Sequence, residues 1–504
     1  MIRRKEETVI YKFIQREGIM GKSTQLESKL DAKTFVLSFQ HMFAMFGATV
    51  LVPILANMSI SVALLSAGLG TILFYFLTSK KVPVFLGSSF AFLPALISCM
   101  GGAGEFGSDS WNVAMGKTSV AIVLAGAVYV VLSFVIKAIG VARIRRLFPP
   151  IVVGPVIIVI GMILAPKMFW NNIIANYAKG DVNFNAWGGG AGAWKQWSAA
   201  GITALTIIAV NAYSKPKSFL KVIPILAGFI VGYVYSLAIG IVSFDNLSKA
   251  WDAREFIIFQ PQIFTRTFGF YTKLSFDPST IFAIVPIAIV TFMEHLGDIN
   301  ASSTVCGRDF MVDPGIHKTV LGDGLATALA GAMGGPSNTT YGENTAVLAI
   351  TKNYNPRNIF IAACMAVFFG MFTIFGTAIS TIPAAVIGGA SIVLFGMISA
   401  SGLRALVDGK VDFSDSKNLI VVSVILSVGL GLGAMSMAGD ITGMNSLKLM
   451  VGGVEISPLA TATIIGIILN LIIPKTTEND GEPSQIMSPT TVDAEAVKEK
   501  KQAK

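Results

Sequence analysis

Glu294 and Asp298 stand four residues apart inside an apolar stretch, with His295 beside the first of them. Side chains at i and i+4 lie on one helix face, so this spacing turns both carboxylates the same way. Two ionised carboxylates so placed repel each other, which favours taking up a proton between them and suits a proton carrier. The plainer reading is a solvated loop or helix-packing glue, and the strongly apolar run from Pro286 to Phe292 just upstream speaks against it. A third carboxylate, Glu343, closes the stretch Gly334-Gly335-Pro336-Ser337-Asn338-Thr339-Thr340-Tyr341-Gly342, which sets a helix breaker and hydroxyl residues between two apolar segments. Phe90 follows a similar break, after Ser88 and Ser89. Gln40-His41 lies in the first apolar run, and His41 reads as a structural or gating support.

Such groups need scaffolding. Non-helical backbone survives at membrane depth only when it is buried in protein or lines a cavity, because unpaired N–H and C=O groups are too costly in lipid. Short extended segments at the two breaks would leave main-chain N–H groups, near Phe90 and Gly342, to donate to a ligand. A helix following each break would add the positive end of its dipole.

The composition supplies the membrane. Of 504 residues 53% are hydrophobic and only 13% charged, with a mean hydropathy of +0.69. Apolar runs fall near 34–56, 60–79, 82–100, 118–140, 147–165, 197–213 and 219–243, then near 280–301, 318–334, 343–351, 358–379, 382–402, 418–437 and 456–474. Runs of about 20 apolar residues read as spanning helices. The net charge of +9 sits in short basic clusters between alternate runs, such as Lys80-Lys81, Arg143 to Arg146 and Lys215 to Lys221. That pattern fits positive-inside topology and not nucleic-acid binding, and it places both termini in the cytoplasm. Cys99, Cys306 and Cys364 have no metal or disulfide spacing. No metal or cofactor is expected.

The two sets of seven runs resemble each other. Gln40-His41 matches Glu294-His295, Ser88-Ser89-Phe90-Ala91 matches Thr339-Thr340-Tyr341-Gly342, and Phe148-Pro149 matches Ile382-Pro383. An odd number of spans inverts the second copy, and interrupted segments at matching positions of inverted halves point to a transporter binding site. The expected architecture is an all-α polytopic protein of the cytoplasmic membrane, with about fourteen segments in two inverted repeats of seven. Its expected parts are a cytoplasmic segment 1–33, repeats 34–243 and 280–474, and a disordered cytoplasmic tail 475–504.

Three stretches carry a family resemblance: Ser38-Phe39-Gln40-His41 through Val52-Pro53, Leu86-Gly87-Ser88-Ser89-Phe90-Ala91-Phe92, and Asn338-Thr339-Thr340-Tyr341-Gly342-Glu343-Asn344. From about Leu30 to Leu471 the chain resembles the nucleobase–ascorbate transporter (nucleobase:cation symporter-2) family, most closely its bacterial uracil permeases. The resemblance implies a core domain and a gate domain, with short strands in segments 3 and 10 meeting at the substrate. It implies that Glu294 and Glu343 accept hydrogen bonds from a base, that Phe90 and Gly342 offer backbone N–H groups, and that Ala48, Tyr341 and Phe395 line the pocket. A homodimer is a further family expectation. Glu343-Asn344-Thr345 is followed by Ala346 where the family signature has Gly, and Asp298 stands where some uracil permeases have a second His.

The expected function is uracil import by proton symport, with Glu294, Asp298 and His295 as the coupling groups. The alternatives are a symporter of xanthine or another purine base and an anion carrier of the same fold. An enzyme is disfavoured, since the chain has no HExxH, no GxSxG and no Cys/His ligand spacing. A channel would need rings of charge or a continuous polar lining, whereas these polar residues cluster at the two breaks.

Overall fold

The computed structural model describes residues 32–474, apart from 101, 141–148, 175–192, 216–217, 443, 445–446, 448 and 452–453. The N-terminal segment to residue 31, the tail from 475, Phe148 and the basic cluster Arg143, Arg145 and Arg146 lie outside the described residues. Among those described, seven helical stretches are long and apolar enough to cross a membrane: Thr34–Leu55, Ile60–Leu77, Asp109–Ile139, Pro150–Ile174, Pro278–Cys306, Ala384–Asp408 and Ser416–Gly439. Shorter apolar helices include Pro224–Ala238, Pro356–Met371 and Pro458–Ile472. This is a mostly helical, multi-pass membrane protein.

In order, α1 (Ala32–Leu55) and α2 (Ile60–Leu77) lead to a strand β1 (Leu86–Ser88) and a short helix α3 (Leu93–Met100). Then come α4 (Asp109–Ile139), α5 (Pro150–Phe169), α6 (Ala193–Tyr213) and α7 (Pro224–Ala238). A connecting region holds α8 (Asp245–Asp252) and α9 (Pro261–Phe268), neither of which the apolar runs foretold. Both are short and amphipathic, so a search for uniformly apolar stretches passes over them. The chain continues through α10 (Pro278–Ile284), α11 (Ile287–Cys306), α12 (Ile316–Ala332), a strand β2 (Asn338–Thr340) and α13 (Gly342–Thr351). It ends with α14 (Pro356–Met371), α15 (Thr373–Ile379), α16 (Ala384–Asp408), α17 (Ser416–Thr442), strands β3 (Met450–Val451) and β4 (Val454–Glu455), and α18 (Pro458–Ile472).

Boundaries move for local reasons. α4 starts well before its apolar run because Ser108 caps it, accepting from the Trp111 N–H. Such a cap satisfies a helix donor that would otherwise lack a partner. The run expected near 280–301 is two helices, broken at Val285-Pro286, since proline cannot donate to the preceding turn. The run near 358–379 breaks at Phe372, which is extended at φ −94° and ψ 99°.

The helices pack in two sets. In one, α4 lies against α12, α2 against both α12 and α14, and α1 against α14. In the other, α16 packs on α5 and α6, α17 on α5 and α18, and α7 on α6. Small residues let the backbones touch, as is usual where lipid supplies no hydrophobic drive. A methyl on Gly126 would stand 2.6 Å from the Gly324 carbonyl oxygen, and one on Gly161 2.3 Å from that of Phe395.

β1 and β2 pair antiparallel in the middle of the first set, Leu86 opposite Thr340, Gly87 opposite Thr339 and Ser88 opposite Asn338. The ladder continues past both ends: Ser89 N donates to Ser337 O at 2.9 Å and Tyr341 N to Phe85 O at 3.0 Å. Its outer edges are closed by threonines. Leu86 N donates to Thr71 Oγ1 of α2 at 2.9 Å, and Thr327 Oγ1 of α12 donates to Asn338 O at 2.5 Å. The chain turns into β2 at Gly334, whose φ of +74° is one that other residues rarely adopt.

Gly87 carries no side chain because the Tyr341 ring lies across it. A methyl there would come 2.5 Å from Tyr341 Cε2 and 2.7 Å from Thr49 Oγ1. Gly87→Ala should therefore lower stability by about 1–3 kcal/mol through overpacking. Gly297→Ala in α11 faces open space and should be neutral or slightly stabilising, since alanine favours a helix by about 1 kcal/mol. Thermal unfolding of both variants in detergent reads the contrast, and equal melting temperatures would contradict the packing at Gly87.

Candidate functional site

The strand pair brings the two breaks together. After β1 the chain turns through Phe90 into α3, and after β2 it passes Tyr341 into α13, whose first residue is Gly342. The first N–H groups of a helix have no partner within it, so each half-helix starts with donors to spare. Gly342 is exposed although the strand before it is wholly buried, so this helix start borders an opening.

α11 runs beside α13 and supplies the carboxylates. Asp298 is half-buried and reaches the start of α13: its Oδ2 accepts from Thr340 Oγ1 at 3.3 Å, and a methyl on Gly342 would stand 3.1 Å from its Oδ1. Glu294, one turn earlier, is also half-buried, and Gly297 between them is exposed. The i, i+4 spacing thus sets Glu294 and Asp298 along the side of α11 that borders the opening. The backbone of Glu343 is in the first turn of α13, and its side chain lies outside the described residues.

His295 turns the other way. It is buried; its Nε2 lies 2.9 Å from Thr319 Oγ1 and its Nδ1 3.3 Å from both Thr340 Oγ1 and Asp323 Oδ2. Asp323, on α12, is fully buried. Thr340 is therefore shared: one hydroxyl lies against His295 on the inside and Asp298 at the opening.

The aromatic members take separate places. Tyr341 is buried, and its hydroxyl donates to Ser88 O at 2.8 Å and accepts from Thr49 Oγ1 at 3.2 Å, stapling β2 to β1 and α1. Ala48, also buried, belongs to the same apolar cluster as Tyr341. Phe90 is half-buried and meets the ring of Phe395 on α16 edge-on, with centroids 5.9 Å apart. That contact joins the two helix sets. His41 is fully buried, and Asn344 Nδ2 donates to its carbonyl at 3.1 Å.

A family model described as the Permease family matches residues 32–438. The chain belongs to that family. It is the nucleobase–ascorbate transporter family that the sequence resembles. The permease is 39% identical over 455 residues to a protein described as uracil permease of Bacillus subtilis (strain 168), covering 89% of this chain and 94% of the relative. It is 35% identical over 443 residues to the uracil permease of Escherichia coli (strain K12), covering 87% and 91%. In fold it is similar to the transmembrane domain of a cyanobacterial bicarbonate transporter, BicA, with a TM-score of 0.51 at 11% identity, covering 89% of this chain and all of that one. A murine anion transporter, Slc26a9, in the inward-facing state gives a TM-score of 0.54 at 11% identity, covering 86% and 71%. At such identity the likeness concerns the fold alone.

In this permease the sequence alone does not mark out Asp323 or Thr319, and shows Thr340 only as one hydroxyl of the second break. Asp323 sits in Gly322-Asp323-Gly324, on a helix whose small residues read as packing. The signal available was an acidic residue in a run otherwise fit for a span, which marks a functional or paired position. Asp323→Ala should lower stability by about 1–3 kcal/mol, because it removes one polar partner of buried His295, which keeps Thr319 and Thr340. Replacing both partners, as His295→Leu with Asp323→Ala, should cost less than the single change. Melting temperatures of the wild type, Asp323→Ala, His295→Leu and the double variant check this, and additive losses would mean that the pair is not coupled.

Proposed function

We propose that this permease imports uracil across the cell membrane by proton symport, binding the base between the starts of α3 and α13 and the carboxylate-bearing side of α11. One observation carries the reading. The strand pair sets an exposed helix start at Gly342 next to Asp298, one turn from Glu294. A uracil edge alternates N–H donors with C=O acceptors, which calls for carboxylates beside backbone N–H groups. In this reading Glu294 and Glu343 accept from the base, and the N–H groups of Phe90 and Gly342 donate to it. Ala48, Tyr341 and Phe395 shape the cavity. The relatives' names as uracil permeases support the same substrate.

Coupling falls to Glu294, Asp298 and His295. Protonation of Glu294 or Asp298 removes a charge from the part that must move and makes its passage through the membrane less costly. Carboxylates at the site also favour a ligand that donates hydrogen bonds over an anion. A purine symporter of the same family is the second reading, since purines share the alternating edge.

The same proposal covers the finer architecture: fourteen segments in inverted repeats at 34–243 and 280–474, a core bearing the strands, a gate of the second helix set, and both termini in the cytoplasm. The packing supports it by coming in exchangeable pairs. α2 lies on α14 as α12 lies on α4, and α6 on α16 as α17 on α5. Thr71 closes the edge of β1 as Thr327 closes that of β2.

Two experiments test this. Glu294→Ala and Glu343→Ala should each abolish uracil binding in purified, folded protein; an unpaired base N–H in a dry site costs roughly 1–3 kcal/mol, more against a charged acceptor. Glu343→Gln should weaken uracil more than xanthine, and equal losses would move the origin of selectivity to pocket shape. In proteoliposomes, labelled uracil should accumulate under an imposed pH gradient. Accumulation under a Na⁺ gradient alone, indifferent to pH, would overturn proton coupling and leave the base site standing.

A further inference from the structure

A cavity of about 400 Å³ opens away from the residues of the candidate site. None of them lines it. Its walls come from both helix sets: Ser98 of α3, Lys117 of α4 and Thr280 of α10 on one side, Lys167 of α5, Ser436 of α17 and Ser457 at the start of α18 on the other. The volume lies within the usual range for small-molecule sites. The two charged residues that line it are both lysines, with hydroxyls around them.

Lys117 is two turns into α4 from Asp109 and half-buried, a costly place for an ammonium unless it faces water and has a role. Its one described ion pair is with Asp277, at 3.2 Å. That carboxylate is already engaged: it caps α10 by accepting from the Thr280 N–H at 2.9 Å and hydroxyl at 2.7 Å. Those two bonds hold Asp277 below its ordinary pKa, with burial opposing them and Lys117 adding a smaller push the same way. An ammonium has three donors, so Lys117 keeps capacity toward the cavity. Lys167 brings the second positive charge from the other helix set.

We propose that this cavity is a binding site for a small organic anion, a one-ring carboxylate or its like, held between Lys117 and Lys167 with the serine hydroxyls completing its hydrogen bonds. A ligand so held bridges the two helix sets and fixes their separation at this end of the molecule. In the topology proposed above that end faces outward, so the anion acts as a brake on transport from outside. The binding itself is independent of which base the other site carries.

The test uses purified full-length protein titrated with sodium benzoate, with benzamide as its neutral isostere, and with sodium chloride at matched ionic strength. Benzoate should raise the melting temperature saturably, and the other two should not. In Lys117→Gln/Lys167→Gln the half-saturating benzoate concentration should rise by roughly tenfold or more, as charge-assisted bonds are lost. That variant should keep its response to uracil, which reports that it folds; if it does not fold, Lys167→Gln alone should show a smaller shift of the same sign. Glu294→Ala should lose the uracil response and keep the benzoate one. Benzoate stabilisation lost with Glu294→Ala yet kept in the lysine variant would place the anion in the base site and overturn the proposal. Equal effects of benzoate and benzamide, or none, would do the same. A wild-type protein that answers benzoate and ignores uracil would sink the nucleobase reading alone.

Discussion

Extended backbone in the middle of a membrane protein must find hydrogen-bond partners without water, and that requirement organises this molecule. β1 and β2 are three residues each, far too short to be stable alone. They persist because each serves as the other's partner and because Thr71 and Thr327 close the outer edges. An open sheet edge in lipid would be unaffordable, so the four-way arrangement of two strands and two helices stands or falls together. It leaves the starts of α3 and α13 as the places where backbone donors meet an opening.

The side chains around the ladder lock it in one register. Tyr341 reaches back to Ser88, which fixes β2 against β1, while Thr49 ties the same hydroxyl to α1. On the other face, Thr340 spans from buried His295 to half-buried Asp298. A displacement of β2 would therefore disturb both the buried His295–Asp323 contact and the carboxylate at the site. Polar networks in a dry interior have this all-or-none character, because a partly satisfied one is worse than none.

Much of this was legible in the sequence, and the reasons differ by residue. The two breaks were visible because glycine, proline and hydroxyl residues are conspicuous among apolar ones. Glu294 and Asp298 were visible because carboxylates in a span are rare and the four-residue spacing has one geometric meaning. Phe395 was not readable from its surroundings, as one phenylalanine among many; family resemblance supplied it, and the structure sets it edge-on to Phe90. Asp323 was missed because its partner, His295, lies 28 positions upstream on another helix, and no local pattern joins them. The helices α8 and α9 were not visible because uniform hydrophobicity marks spans and not short helices with one polar face.

The Tyr341 hydroxyl and the Ser88 carbonyl that it holds are 253 residues apart in the chain. A ribosome adds about 5–20 residues each second, so β1 emerges on the order of 10–50 s before β2 exists to pair with it. During that interval the first half cannot hold its final form in lipid, since a lone strand there would leave a row of amides unsatisfied. The newborn segment from Val82 to Met100 must wait in some other guise, as a helix, or sheltered by the insertion machinery. Assembly is thereby gated by the arrival of the second half, and a chain that stops short of residue 340 has no route to the finished centre.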